Sequence, residues 1–307
     1  MKYMIYPMIQ RLVWPLCMVA MALCCVSCGD SANARTADSD TFTYGSLQGT
    51  YAGFFLGEGG RLAVGGVVVM VLDGNGGISD GRAFFTNPDL NSLGGRTLSE
   101  TTFDTGSYSV DENGKGHLVL PKLSDDWVED WNITAVISSY RDGDAPLAQE
   151  IYMMGDTVET LEGNLVVSTL KRLPDGATFN HGSFAGPYAQ QTKTFGGQTP
   201  VAGLGLFAVD GTDGQALMTI STPGTRWVDR EINEVPATGN LNLSSDGLAI
   251  WEPSDENRAA GFGNSIMVIM GARPLSNGNF FVTEFFMFYD LPGLGIVMAA
   301  PAKTRAG

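Results

Sequence analysis

No cysteine follows Cys28: all four, Cys17, Cys24, Cys25 and Cys28, stand at the start of the chain. The remainder has to hold together through apolar cores and hydrogen-bonded backbone, with no internal disulfide, in any redox compartment. Histidine is as scarce, with His117 and His181 alone. No His cluster points to zinc, no H-E-x-x-H pair occurs, and the strand pattern does not suit an α/β-hydrolase. No catalytic residue, metal or cofactor is therefore nominated. Positive charge is short too: 18 Lys and Arg against 33 Asp and Glu give a formal net charge of −15. Such a surface repels phosphate, which argues against a nucleic-acid partner and against an electrostatic hold on anionic lipid. Long helical periodicity is missing after the first 28 residues.

Glycine is abundant, 40 of 307 residues, in a chain that is 44% hydrophobic. With many Val, Phe, Tyr and Thr, this predicts short strands, tight turns and enough apolar mass for two ordinary cores.

Residues 1–28 have the order of a secretory signal: Lys2 and Arg11, then an apolar Leu12–Val26 too short to span a membrane comfortably. The ending Cys25-Val26-Ser27-Cys28 resembles a bacterial lipobox, with Cys25 where that motif usually has Leu. The resemblance implies cleavage before Cys28 and a lipid thioether on its sulfur. A plain signal peptide or an uncleaved anchor are the alternatives. Several acyl chains would give a stable membrane hold, at about 0.8 kcal/mol per buried CH₂. Residues 29–43, GDSANARTADSDTFT, have the small, polar composition of a flexible tether.

The rest of the chain says the same thing twice. GSLQGTYA from Gly45 returns as GSFAGPYA from Gly182. VLDGNGG from Val71 meets AVDGTDG from Ala208, TGSYSV from Thr105 meets TGNLNL from Thr238, and QEIYMMGD from Gln149 meets TEFFMFYD from Thr283. The ordered landmarks define two copies of one unit, residues 44–172 and 182–304, joined by 173–181 with its Pro and Gly breakers. Each copy predicts about eight strands. In TGSYSV, Tyr108 and Val110 share one face and the serines the other, and Asn-Gly and Asp-Gly pairs mark hairpins. The fold class is all-β: two tandem antiparallel barrel-like repeats of about eight strands, with β-sandwiches as the alternative.

The run G-x-Y-A, V-x-D-G-x-G-x-I and T-G-x-Y-x-V, with a late strand carrying Glu before Asp, resembles a group of bacterial lipoproteins built from one or two such modules. That group has no assigned activity. More distantly, Gly49-Thr50-Tyr51 is similar to the G-x-W strand opening of lipocalin- and avidin-type barrels, Tyr standing for Trp. In those folds a basic residue of the last strand covers the first-strand aromatic. The resemblance implies Lys171 and Arg172, or Lys303, for that role.

Four polar features bear on chemistry. The turns at Asp73, Asp111 and Asp210 faintly look like half an EF-hand, but position 12 of each would be Phe84, Lys122 or Ser221, none a bidentate carboxylate. They read as hairpin turns. SDDWVEDWN, residues 124–132, reads as one short helix with Trp127 and Trp131 on a shared face, capping a barrel or stacking a sugar. His117 follows a hairpin turn and His181 lies in the joint, both as surface residues. Glu150 and Glu284 occupy matched positions in strongly apolar strands. Simple alternation puts Glu284 on one face with Phe280, Val282, Phe286 and Phe288, and a lone carboxylate there is costly. We expect both to point into their barrels and to pair with Arg141 and Arg273, forming an interior polar site.

These readings converge on a lipid-anchored protein of the bacterial cell envelope, at the outer membrane and facing periplasm or surface. Its expected role is a non-enzymatic binding module for a small apolar or amphipathic ligand. A structural or protein-interaction component is the first alternative, and a hydrolase without a recognisable motif the second. A binder predicts an apolar interior with one or two polar groups; a structural module predicts a filled interior and an apolar outer patch.

Overall fold

The motif shared by residues 45–52 and 182–189 builds a plug followed by a strand. A computed structural model describes residues 41–58, 64–88, 96–123, 130–141, 146–155, 165–184, 186–195, 202–211, 215–223, 232–259, 263–291 and 295–304. In each copy a 3₁₀ turn comes first, Tyr44–Leu47 and His181–Phe184. A serine hydroxyl closes it, accepting from the N–H of Thr43 on Ser46 (3.0 Å) and from that of Asn180 on Ser183 (3.2 Å). Leu47 and Phe184 are buried beneath. Gly49 and Gly186 follow with φ of 128° and 124°. This backbone conformation comes easily only to glycine and swings the chain from plug into strand.

The first copy contains β1 (Gly49–Glu58), β2 (Val64–Leu72), β3 (Ile78–Pro88), β4 (Arg96–Phe103), β5 (Ser107–Val110), β6 (Lys115–Leu120), β7 (Trp131–Arg141), β8 (Leu147–Gly155) and β9 (Leu165–Arg172). They form one curled antiparallel sheet in the order β4-β3-β2-β1-β9-β8-β7-β6-β5. The second copy contains β10 (Gly186–Phe195), β11 (Ala202–Val209), β12 (Gln215–Pro223), β13 (Ile232–Leu243), β14 (Leu248–Pro253), β15 (Ser265–Pro274), β16 (Phe280–Leu291) and β17 (Gly295–Thr304). These close into an eight-stranded barrel, each strand beside its neighbour in sequence and β17 against β10. The all-β, tandem barrel-like fold is thus present, and neither copy is a sandwich.

The copies differ at one strand. β13 runs unbroken, pairing with β12 along most of its length and with β14 through Gly239–Leu243. The same path in the first copy is cut between β4, which pairs with β3, and β5, which pairs with β6. The isolated bridge Gly77↔Ser107 and the Ile78 N–H donating to the Gly106 carbonyl (3.1 Å) stitch this seam. β4 escapes sequence reading because RTLSETTF has no apolar alternation. The first half of β13 escapes because Pro236 lies within it, opposite Thr219. A short helix α1 (Asp255–Ala259) follows β14. The helix expected over 124–132 is corrected at its end, since Trp131 opens β7 and lies in the core edge-on to Phe55 (5.3 Å). Residues 124–129, the leader with Cys28, and most of the tether lie outside the described residues.

Two apolar clusters hold the fold. One fills the inside of the first copy with Tyr51, Phe55, Met70, Phe85, Leu118 and Trp131. The other joins the inside of the second copy to the surface where the copies meet. There the outer face of β1–β2–β3 receives that of β15–β16: Phe54 stacks on Phe286, centroids 3.8 Å apart at 8°, and Leu56, Val67, Val69 and Phe84 join the same cluster. Among the described residues two ion pairs cross the joint, Lys171–Glu284 at 2.6 Å and Arg82–Asp246 at 3.4 Å.

Candidate functional site

A buried tyrosine ties first strand to penultimate strand in both copies. The Tyr51 hydroxyl donates to the Ala148 carbonyl and that of Tyr188 to the Val282 carbonyl, both at 3.0 Å. Burial pushes both phenols well above their ordinary pKa of 10.0; at Tyr51 the Arg172 charge pulls partly back. The accepting carbonyls belong to a double bulge. Ile137 opposes Ile151, Ser139 opposes Glu150 and Tyr140 opposes Ala148, so Ser138 and Gln149 are each one residue too many. The second copy repeats this with Met270 and Thr283, as Ile269 opposes Phe285, Gly271 opposes Glu284 and Ala272 opposes Val282. A bulge shifts the alternation by one.

That shift overturns the interior site expected from Glu150, Glu284, Arg141 and Arg273. Past the bulge, Phe285 packs inside with Tyr188 and Phe207, and Glu284 shares the outer face with Phe286. Glu284 therefore meets the first copy and pairs with Lys171, its side chain 13% exposed. Arg273 is exposed over the Phe281 ring (5.1 Å), and Arg141 is exposed at the end of β7. Glu150 lies half-buried on the outer face, opposite Lys171 in register, and forms no ion pair among the described residues.

Of the basic residues expected over the first-strand aromatic, Arg172 is the one that stands opposite Tyr51 in register. Its Nε donates to the Gln48 carbonyl (3.1 Å) at the end of the plug, and its guanidinium also pairs with Asp175. Lys171 faces the other copy instead. In the second copy Thr304 stands opposite Tyr188, as Arg172 does opposite Tyr51.

The remaining polar candidates serve local structure. Asp73 accepts from the N–H groups of Asn75 (2.7 Å) and Gly77 (2.9 Å), which hold its carboxyl below the usual range. Asp111 accepts from Asn113 and Lys115, both at 2.9 Å. Their oxygens are engaged by their own turns, as hairpin chemistry requires. His181 Nε2 lies 2.8 Å from the Leu241 carbonyl, while His117 sits on β6 of the other copy, so the histidines do not converge.

The lumen of the closed barrel holds a set that sequence reading missed. Gln190 on β10, Trp251 on β14 and Ser265 on β15 are buried, and the Gln amide, the indole N–H and the Ser hydroxyl have no hydrogen-bond partner among the described residues. Trp251 and Ser265 are cross-strand neighbours. Four strands away in either direction round the barrel, β10 lies across the lumen from β14. An unpaired buried polar group costs about 1–3 kcal/mol, and here three share one interior. Register gives their counterparts in the first copy as Gly53, Leu118 and Ile133, all apolar. That contrast was readable from the aligned copies, but only with the strand register known. The same buried cluster as Trp251 holds Tyr188, Phe207 and Phe285 in ring contact, with Phe184 against Tyr188 and Phe285.

No family model and no curated protein matches the chain. Among solved structures it is similar to a DUF3598-family protein of unknown function from Nostoc punctiforme, at 10% identity and a TM-score of 0.26, covering 85% of this chain and 97% of that one. It is also similar to kievitone hydratase from Nectria haematococca, at 9% identity and a TM-score of 0.27, covering 85% and 90%. At these values the likeness carries no argument about activity.

Proposed function

We propose that the second barrel is a non-catalytic binding module for a small amphipathic molecule. The observation that carries this reading is the trio Gln190, Trp251 and Ser265, unpaired among the described residues in an otherwise apolar interior. A ligand with an apolar body and a carbonyl or hydroxyl head would satisfy them: the amide and indole donate, and the amide oxygen and Ser hydroxyl accept. The first copy, apolar at all three positions, serves as scaffold. A lipid thioether on Cys28 holds the pair at the bacterial envelope, most simply at the outer membrane, with residues 29–43 as tether. Nothing in this role needs a nucleophile or a metal.

The test is mass spectrometry of organic extracts from the chain purified out of its host, beside its Gln190→Leu variant. The parent should release a stoichiometric small molecule. The variant should fold, lose the molecule and be no less stable, having shed an unpaired buried amide. Equal extracts from both, or none from either, would reject the reading. For the anchor, Cys28→Ser should leave the membrane fraction and stop acyl labelling; unchanged fractionation would remove it.

A further inference from the structure

The outer face of β7–β8–β9 carries an apolar stripe. Val136 is 46% exposed, Tyr152 54%, Met154 45% and Val167 45%. These residues are neighbours by register, Val136 opposite Tyr152 and Met154 opposite Val167. The stripe continues into the joint between the copies, since Val167 lies opposite Leu56, and Thr169 opposite the Phe54 that stacks on Phe286.

The second copy shows what covers such a face. Counting through the matched bulges, Val136, Tyr152 and Met154 correspond to Val268, Phe286 and Phe288. All three are buried, and their cover is the outer face of β1–β2, the opening hairpin of a module. The chain's other opening hairpin is β10–β11, whose described outer side chains Ala189, Gln191 and Leu206 are exposed. On it Ala189 stands for Ala52, exposed Gln191 for Phe54, and Leu206, 48% exposed, for Val69.

The charges follow the same pattern. Glu284 on the covered face reaches Lys171, which lies opposite Ala52 on the adjoining last strand. Its counterpart Glu150 has no ion-pair partner among the described residues. Lys303 stands opposite Ala189, the register position that Lys171 holds opposite Ala52.

We propose that the β7–β8–β9 face docks a second copy of this chain, which presents its β10–β11 face and adjoining β17, so that the joint inside the chain is repeated between chains. Tyr152 then lies over Gln191, and Glu150 meets Lys303. Gln191 in place of a phenylalanine makes this contact weaker than the internal one, so assembly is reversible and concentration-dependent. The contact is head-to-tail, and such contacts generate rings or open strings of molecules. It does not depend on any ligand in the barrel.

The test uses the full chain in mild detergent. Sedimentation velocity from low to high micromolar protein should show association, weakened at least tenfold by Glu150→Lys and restored when the partner carries Lys303→Glu. Separately prepared Tyr152→Cys and Gln191→Cys chains should be joined by a short bismaleimide only when mixed. Peptide mapping should locate the bridge, with the parent chain as control for Cys17, Cys24, Cys25 and Cys28. A monomer at every concentration would overturn the proposal. So would Tyr152→Cys bridging to itself, which marks a two-fold contact, or a charge swap that fails to restore association.

Discussion

Gly49 and Gly186 hold nearly the same φ at matched positions, yet their surroundings diverge. A Cβ on Gly49 would lie 2.8 Å from Arg172 Nε, whereas one on Gly186 would meet nothing within 4 Å. The same divergence recurs elsewhere. The first copy has a seam between β4 and β5, an arginine opposite its first-strand tyrosine and apolar residues where the second has polar ones. The second is closed, has threonine opposite its tyrosine, and carries Gln190, Trp251 and Ser265 inside. What the copies share is the plug, the tyrosine tie and the double bulge, the parts that fix strand register. What they do not share is lumen chemistry and outer-face chemistry, where the proposed ligand site and docking face lie.

The comparison is broken most severely at the joint. Phe286→Ala should cost about 3–5 kcal/mol, as for other fully buried aromatics, whereas Tyr152→Ala at the matching exposed position should stay within about 0.5 kcal/mol. Denaturant unfolding measures both, and equal losses would mean that the two outer faces are not in different states. Next comes the carboxylate pair. Glu284→Ala leaves Lys171 without its partner in a largely buried setting and should cost about 2 kcal/mol, while Glu150→Ala should be near neutral. A large effect at Glu150 would mean that its outer face, like that of Glu284, engages a charged partner.

The tyrosines sharpen what is common. Tyr51→Phe and Tyr188→Phe should each cost about 1–2 kcal/mol by orphaning a buried carbonyl. Both phenols ionise more readily unfolded than folded, because their folded pKa is raised. Their stabilising contribution is therefore complete below about pH 10 and declines above it, by up to about 1.4 kcal/mol per pH unit for each tyrosine. Each Phe variant should remove one share of that slope, read from chemical denaturation between pH 9 and 11. Smallest is the glycine contrast. Gly49→Ala should exceed Gly186→Ala by about 1 kcal/mol, since both strain the backbone and only the first displaces Arg172. Identical losses would show that the guanidinium yields freely.

Turn and strand signals in the sequence exposed most of this fold, because Gly, Asp-Gly and alternating apolar residues are local statements. The duplication carried the rest of the architecture. Glu284 shows where that reasoning stops. Its alternation with Val282 is correct for a straight strand, and one extra residue, Thr283, inverts it. No residue type marks that insertion; it becomes visible only when two strands are in register. Likewise Lys171 and Glu284 lie 113 residues apart in the chain, and nothing local announces their meeting. The lumen trio hid for a related reason, since Gln, Trp and Ser are ordinary in strands and acquire meaning only when no partner reaches them.

The pairing of β1 with β9 and of β10 with β17 has a consequence in time. Tyr51 lies opposite Arg172, so the first sheet cannot complete its order until the chain through residue 172 is available. Closing contacts so distant in sequence is slow, because the loop entropy is lost before the strand pairing is gained. A chain emerging from its N-terminus exposes β1–β8 with the edge of β1 unpaired through that interval, an edge open to wrong partners. Once β9 seats, however, the first copy offers a finished outer face, and the second can assemble against Phe54 as a template. The order of synthesis thereby assigns the apolar-filled module to go first and leaves the barrel with Gln190, Trp251 and Ser265 inside to close last, at its own final strand.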